Sequence, residues 1–249
     1  MGFQVTTNTA ALQVYNNLGA HQVASAQSLA KISSGLKASG GTDVASLGAA
    51  TTLQINFQAT QSAITDVQNA INTLRTADQI YAEAIALGQN GLEVANRAAD
   101  ANADTSATTA QLAKITLGIG SVLAQQFNGT AVLGTALTPK VDSSATTLTV
   151  TPADTTDPAS DDISGYTTFV EAAIDDRAEN AANLAVLQST LQTLQAAAMN
   201  EMNGVSAAQD TDIAKEMINL TSANIMTEAA TAMLAQAMQS NNAVLRLFQ

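Results

Sequence analysis

The chain has 249 residues, with 12% charged and 3% aromatic side chains, no cysteine and a formal net charge of −12 at pH 7. This acidic balance argues against nucleic acid or an anionic membrane as a partner, and the missing cysteines exclude disulfides and thiolate chemistry. No run of about 20 apolar residues could span a membrane. The first residues lack the basic and apolar segments of a cleavable signal peptide, so an exported chain of this kind would need a specialised route.

The first predicted element is a helix from about Thr9 to Leu36. No charged residue precedes Lys31, so this helix has no solvated charged face. Its apolar side chains recur at helical spacing: Leu12, Tyr15, Val23, Leu29, Ile32 and Leu36. Gly35 and the Gly40-Gly41 pair break the helix, and residues Ser39–Ala50 are predicted to form a loop with Asp43 and Ser46 as candidate helix caps.

The second element carries the clearest repeat in the chain, a heptad pattern that starts at Ala49. Its apolar positions follow steps of four and three: Leu53, Phe57, Ile64, Val67, Ile71, Leu74, Tyr81, Ile85 and Leu92. Such a repeat is typical of a helix that packs along its length against another helix. Asp78 is the main interruption, and Gly88 and Gly91 are expected to weaken the helix.

A third helix, which carries Leu112 and Ile119, is predicted to end before the turn dipeptide Asn128-Gly129. The following region, from Ala131 to Thr168, contains all three prolines of the chain. Within it, Thr147 to Thr151 alternate with period two and predict a short strand, with a partner that begins near Val132. The region is rich in aspartate but lacks the spacing of a calcium loop, which favours a solvated loop or a small β element.

Two further helical stretches complete the chain. Residues Tyr166–Asn203 repeat leucine at steps of three and four: Leu184, Leu187, Leu191 and Leu194. A single long helix is predicted from Val205 to Gln249, because this stretch contains neither glycine nor proline. Its large apolar side chains include Met226, Met233, Leu234, Met238, Val244, Leu245 and Phe248. The two uncharged chain ends are expected to bury each other and to bury against other copies of the molecule.

These elements predict a mainly α fold class, with long antiparallel helical rods or a coiled coil from both chain halves and a small central β-hairpin region. No catalytic constellation accompanies them. His21 is the only histidine, Ser33-Ser34-Gly35 lacks the context of a nucleophile elbow, and no glycine-rich phosphate loop is present. The sequence therefore predicts a structural protein rather than an enzyme, with no catalytic residues, no cofactor and no metal site.

Motifs near both ends and at the centre resemble those of bacterial flagellin, and the resemblance extends over nearly the whole chain. In chain order they are Thr7-Asn8-Thr9-Ala10-Ala11-Leu12, Asn17-Leu18, Ile32-Ser33-Ser34-Gly35-Leu36-Lys37, Phe127-Asn128-Gly129, Met233-Leu234-Ala235-Gln236-Ala237-Met238-Gln239 and Val244-Leu245-Arg246-Leu247-Phe248. One of these motifs alone would be weak, but together and in this order they are specific.

The resemblance implies a subunit that self-assembles into the extracellular flagellar filament for swimming motility. It also implies a division into inner-core helices at 1–40 and 205–249, outer-core halves at 41–130 and 169–204, and a β-hairpin with a short variable region at 131–168. The expected self-association residues are Leu12, Leu29, Ile32, Leu36, Met226, Met233, Leu234, Met238, Val244, Leu245 and Phe248. The heptad residues of the second element and the four leucines of Tyr166–Asn203 would pack the outer core.

The same resemblance implies partners besides the chain itself, namely the filament cap, the hook-junction proteins and the flagellar export apparatus with its chaperone. Two other interpretations stay open. A hook–filament junction protein has similar ends, and another secreted coiled-coil protein would explain the heptads and the lack of cysteine.

Overall fold

The structure is a computed structural model that describes residues 8–39, 43–100, 103–144 and 146–247, with side chains described as far as residue 239. Five helices dominate these ranges: α1 (Thr9–Ser34), α2 (Val44–Ala98), α3 (Thr105–Leu123), α4 (Ile163–Gln209) and α5 (Ile213–Leu247). Strands β1 (Gln126–Phe127) and β2 (Thr130–Ala131) form a small antiparallel sheet. The predicted mainly α fold class is confirmed.

The chain divides into two compact units. One is Ile55–Glu201, and the other combines Met1–Gln54 with Met202–Gln249. Among the described helices of both units, none has the length and apolar character needed to cross a membrane.

Within Ile55–Glu201, helices α2 and α4 pack antiparallel to each other. Arg177 of α4 donates two hydrogen bonds, of 2.7 and 3.2 Å, to the carboxylate of Asp78 on α2. Nearer the C-terminal end of α4 and the N-terminal end of α2, the hydroxyl of Thr60 donates a hydrogen bond of 3.2 Å to the carboxylate of Glu201. Asp78, which interrupts the predicted apolar repeat, is therefore paired across the two helices rather than left without a partner.

The buried face of α2 includes two stripes whose members lie seven residues apart. One stripe is Thr60, Val67, Leu74 and Tyr81, and the other is Ala63, Ala70, Ala77 and Ala84. All eight side chains are at most 5% exposed. The alanines are absent from the predicted set because alanine adds little to an apolar repeat, although its small side chain lets two helices approach closely.

The residues predicted to pack the outer core lie at two levels of burial. Ile64, Val67, Ile71, Leu74, Tyr81, Leu187 and Leu194 are buried, whereas Leu53, Phe57, Ile85, Leu92, Leu184 and Leu191 are half-buried. Leu53 belongs to the unit that contains the chain ends, where it contacts Gly204 of α4.

Gly88 and Gly91 continue the two stripes and do not interrupt α2. A Cβ atom on Gly88 would lie 2.8 Å from the Phe169 ring, and one on Gly91 would lie 2.7 Å from Cζ of Tyr166. Both rings are buried. The glycines therefore provide space for aromatic side chains of α4, and the burial of these rings offsets the low helix propensity of glycine, about 1 kcal/mol per residue.

Two buried tyrosines connect the helices to their surroundings through their hydroxyl groups. The hydroxyl of Tyr166 donates to the carbonyl of Leu112 in α3 at 3.2 Å. Burial, together with nearby carboxylates, raises the pKa of Tyr81, so its hydroxyl stays protonated and donates at 2.8 Å to the carbonyl of Ala153. These bonds hold α3 and the chain near Ala153 against the α2–α4 pair.

The turn predicted at Asn128-Gly129 is confirmed. Both residues have positive φ, 52° and 78°, and they join Phe127 to Thr130 in the β1–β2 hairpin. This conformation is typical of a type I′ turn, for which Asn-Gly is the preferred dipeptide.

The strand partner predicted to begin near Val132 begins two residues later, where the N–H of Gly134 donates to the carbonyl of Pro152 at 2.9 Å. Isolated bridges then pair Leu137 with Val150 and Lys140 with Thr147. Val132 itself is buried in a cluster with residues of α2, α3 and α4.

The single helix predicted over Val205–Gln249 is wrong. The helical stretch breaks between Gln209, the last residue of α4, and Ile213, the first residue of α5. The side chain of Asp212 accepts a hydrogen bond of 3.1 Å from the backbone N–H of Lys215. This is an N-cap, in which a short acidic side chain satisfies a free N–H at a helix start.

The break is stabilised by the chain that leaves α1. The N–H of Lys37 donates to the carbonyl of Gln209 at 2.8 Å, and the N–H of Thr211 donates to the carbonyl of Gly35 at 2.9 Å. Gly35 itself caps α1 with φ of 72°, a left-handed conformation that glycine adopts without strain. A short antiparallel connection therefore joins the end of α1 to the α4–α5 junction.

Alanine substitutions at two glycines of α1 are expected to have opposite signs. Gly35→Ala should destabilise α1 by about 1 kcal/mol, because a Cβ atom disfavours the left-handed cap. Gly19→Ala should stabilise it by up to about 1 kcal/mol, because Gly19 lies inside the helix with nothing near its missing Cβ. Thermal melting followed by far-UV circular dichroism measures both, and shifts of the same sign would contradict the capping role.

Candidate functional site

The strongest candidate for a functional site is the terminal pair, formed by α1 and α5. The two helices pack antiparallel, since Asn8 contacts Ala237 near one end and Ser28 contacts Glu216 near the other. Between these points Ser25 donates to the side chain of Asn224 at 2.8 Å. The seam, meaning the contact between α1 and α5, is therefore bridged by hydrogen bonds near both of its ends.

The residues buried in the seam are small or polar. Ser28, Ala223 and Ala230 are the buried residues of α1 and α5 among those with described side chains. Half-buried apolar side chains, such as Ile32 of α1 and Leu234 of α5, add apolar area on the same sides of these helices. The chain ends were expected to bury each other, and they pack together here through small, half-buried apolar and polar side chains.

Glu216 is the central polar residue of the seam. Its carboxylate accepts a hydrogen bond of 3.0 Å from Ser28 and one of 3.3 Å from Asn219, and it lies 3.7 Å from the ammonium of Lys31. Burial alone would raise the pKa of Glu216, but the hydrogen bonds and the positive charge of Lys31 outweigh burial and lower the pKa below its ordinary value. The ionised form of Glu216 therefore stabilises the pairing of α1 with α5.

The seam is expected to weaken in acid through Glu216. Because its pKa is lowered on folding, its contribution to stability is present above pH 4.5, the ordinary value, and is lost as pH falls through the folded-state pKa. Glu216→Gln should lower the stability of the terminal pair at pH 7 by about 1 kcal/mol or less, and this difference should shrink as the pH is lowered from 7 towards 3. Melting curves of both proteins at the two pH values test this.

The matched control for Glu216 is Glu93→Gln. Glu93 lies 3.7 Å from Arg97 on an exposed face of α2, with both side chains more than half exposed. This change should leave melting nearly unaltered at either pH. If wild type and Glu216→Gln differ in stability as much near pH 3 as at pH 7, the role assigned to the Glu216 charge is contradicted.

The outward side of α1 is apolar. Leu12 and Val23 are 58% and 55% exposed, and they lie 11 residues apart, which places them about 20° from each other around the helix. Tyr15 and Leu29 are exposed to a similar degree. Ser28, the buried residue of α1, faces the opposite way. This helix therefore leaves large apolar side chains on its solvent side, where an ordinary amphipathic helix carries polar ones.

Helix α5 carries the complementary feature, an open apolar groove of about 440 Å³. It is lined by Met217, Ile218, Thr221, Ser222, Ile225 and Met226. The four large apolar side chains of this set are 48% to 69% exposed. Exposed apolar patches of this kind mark interaction surfaces.

The predicted self-association residues differ in how exposed their side chains are. Leu12, Leu29, Met226, Met233 and Met238 are exposed, and Ile32, Leu36 and Leu234 are half-buried. Val244 and Leu245 lie in α5 with side chains outside the described part, and Phe248 lies outside the described residues.

Sequence reasoning missed the polar seam and part of the groove. Glu216 and Ser28 could have been found as a charge and a hydroxyl on the side of each helix that carries the predicted contact. Ile218 and Ile225 were missed because the repeat was followed along one side of the helix only, whereas the groove lies on another side.

The described residues offer little that resembles an enzyme site. His21 lines a polar cavity of about 370 Å³ between α1 and α5, together with Lys31 and Glu216. Within the described ranges, no group of three or more His, Asp or Glu side chains is arranged to hold a metal ion.

Comparison with known proteins relates this architecture to one family. The model of the bacterial flagellin C-terminal helical region matches residues 167–248. The flagellin of Halalkalibacterium halodurans is 27% identical over 270 residues, which covers 98% of this chain and 99% of that protein. The flagellin of Bacillus subtilis is 25% identical over 303 residues, which covers 99% of this chain and all of that protein.

A second Bacillus subtilis protein, YvzB, whose name assigns it provisionally to the flagellins, is more similar over a shorter stretch. It is 35% identical over 121 residues, which covers 47% of this chain and 76% of that protein. The two longer alignments include both α1 and α5, the helices of the terminal pair.

Proposed function

Because this chain belongs to the bacterial flagellin family, we infer that it is a structural subunit of the flagellar filament. Its full-length relatives are flagellins, and nothing favours the hook–filament junction protein. We further propose that the subunit polymerises through the outward faces of α1 and α5.

The observation that supports this proposal is the exposed apolar surface of the terminal pair. An isolated chain exposes Leu12, Val23 and the groove around Ile218 to water. Neighbouring copies can cover these surfaces, so the free energy that the single chain lacks becomes available on assembly.

The kind of contact follows from the positions of these surfaces. The exposed stripe of α1 and the groove of α5 are different patches, so the stripe of one copy can contact the groove of the next without the reverse contact, and such a one-way contact is heterologous. A heterologous contact that does not close into a ring generates a helical polymer. We propose that Leu12, Val23 and their exposed neighbours enter the groove beside Ile218 of an adjacent copy.

Further residues complete the proposed self-association surface. They are Leu29, Ile32, Leu36, Met226, Met233, Leu234, Met238, Val244, Leu245 and Phe248. The buried stripes of α2 and the leucines of α4 have a different role in this proposal, because they stiffen each subunit and contribute to the polymer only through that stiffness.

The filament places this protein outside the cell, on the flagellum. Its other partners in this proposal are the filament cap, the hook-junction proteins and the export apparatus with its chaperone. The net charge of −12 makes nucleic acid an unsuitable partner. We propose no catalytic activity.

Seeded polymerisation tests the proposed function. Desalted full-length chain is mixed with short filament fragments and examined by sedimentation and negative-stain microscopy. It is expected to form long filaments, whereas a chain that lacks residues 1–36 and 224–249 should stay monomeric and retain the helical circular dichroism of the remaining helices. A full-length chain that stays a folded monomer would instead favour a junction protein or another secreted coiled-coil protein.

A further inference from the structure

The methionines of this protein are unusually exposed. Six of the seven have described side chains, and all six are between 48% and 68% exposed. Methionine is among the residues most often buried in folded proteins, so this distribution is unexpected. The chain has neither cysteine nor tryptophan, so its thioethers are the side chains that a mild oxidant would attack first.

Four of these methionines lie on α5, and three of them lie at or beside its groove. Met217 and Met226 line the groove. Met233 follows Met226 by seven residues, about two helical turns, and therefore projects from nearly the same side of α5. Met238 is the fourth, whereas Met199 and Met202 lie on α4. The oxidisable sulfur atoms are thus concentrated on the surface assigned to polymerisation.

We propose that the α5 methionines are oxidation sites through which a peroxide controls the assembly of this subunit. In each event a lone pair on the methionine Sδ attacks one oxygen of hydrogen peroxide, the O–O bond breaks and an S–O bond forms. The second oxygen leaves as water with both hydrogen atoms. Sulfur loses two electrons and the peroxide gains two, so no further reductant or oxidant is needed.

Oxidation changes the contact between copies more than it changes the single chain. A sulfoxide is polar and accepts hydrogen bonds, and it disrupts methionine-rich interfaces. In the free chain it stays in water because these side chains are exposed. In a groove covered by a neighbouring copy the sulfoxide oxygen loses its hydrogen bonds to water. Oxidised subunits should therefore need at least a tenfold higher concentration to polymerise.

This inference rests on the proposed function, and the test keeps the two apart. Full-length monomer is treated with hydrogen peroxide, each methionine is scored by peptide mass spectrometry, and seeded polymerisation is compared with that of untreated monomer. Treated chain is expected to polymerise poorly and to recover after incubation with methionine sulfoxide reductases, which reverse this modification. If untreated chain also fails to polymerise, the proposed function fails and this inference fails with it.

A variant that combines Met217→Leu, Met226→Leu, Met233→Leu and Met238→Leu is the matched control. Leucine keeps the size and apolar character of methionine, so the variant should fold, and its own untreated polymerisation is the reference for its treated sample. Peroxide should leave its polymerisation at that untreated level, although Met199 and Met202 become oxidised. Loss of polymerisation in the treated variant to the same extent as in treated wild type would overturn the assignment to α5.

A second measurement needs no variant. Filaments and monomers of the wild-type protein receive the same peroxide dose, and the oxidation rates of Met217, Met226 and Met233 are compared. Coverage by neighbouring copies is expected to slow these rates at least tenfold in filaments. Equal rates in the two forms, or normal polymerisation of monomer whose α5 methionines are fully oxidised, would reject the proposal while the proposed function stands.

Discussion

Ile218→Asp is expected to abolish seeded polymerisation while the isolated chain stays folded. Ile218 is 69% exposed, so in the free chain the change should alter stability by about 0.5 kcal/mol or less. In a contact between copies the new carboxylate would be buried without a partner. A penalty of about 3 kcal/mol per contact would raise the concentration needed for polymerisation about 100-fold.

Two further substitutions at Ile218 distinguish the penalty of burying a charge from the effect of the net charge on polymerisation. The aspartate variant changes the net charge from −12 to −13, whereas Ile218→Lys changes it from −12 to −11. Both should block polymerisation, because desolvation penalises either sign of charge. Ile218→Leu should polymerise normally. Sedimentation of seeded samples measures all three, and normal assembly of the aspartate variant would remove the α5 groove from the contact between copies.

Gly91→Ala is expected to destabilise the Ile55–Glu201 unit by about 1–3 kcal/mol. The added methyl group would overlap the buried ring of Tyr166, and overpacking of a filled core carries a penalty of this size. The better helix propensity of alanine recovers only about 1 kcal/mol. Urea unfolding followed by far-UV circular dichroism measures the change.

The control for Gly91 is Gly118→Ala in α3. Its added methyl group would lie 3.9 Å from the Leu87 side chain, an ordinary contact. This substitution should therefore be neutral or stabilise the protein by up to about 1 kcal/mol. If both alanine variants prove equally stable, the Tyr166 ring can move aside, and Gly91 is not needed for its packing.

The heptad pattern predicted the long helices well because buried apolar side chains recur at helical spacing. It did not predict which of the small residues are buried. Ala63 and Ala77 are fully buried, yet an alanine has the same appearance in a repeat whether it faces a partner or solvent. Gly88 and Gly91 were interpreted as weak points because a sequence does not reveal that an aromatic ring from α4 will occupy the space beside them. Helix propensity was overridden by packing.

The terminal pair was predictable in location but not in its internal chemistry. The scarcity of charge near both ends indicated two helices that need partners. It did not indicate that Ser28 and Glu216 would face inward, because the direction of each helix face depends on how α1 and α5 meet. The break before Ile213 had a visible signal in Asp212, a preferred N-cap residue, but an uninterrupted apolar pattern outweighed it.

The two sides of the terminal pair should also differ in their response to cold. Contacts made by apolar surface weaken on cooling, because their driving force near room temperature is entropic and fades as temperature falls. The hydrogen bonds and the Lys31–Glu216 ion pair of the seam do not share that dependence. Chilling should therefore loosen the attachment of one copy to the next before it separates α1 from α5, so that subunits released in the cold keep their helices paired and can attach again on warming.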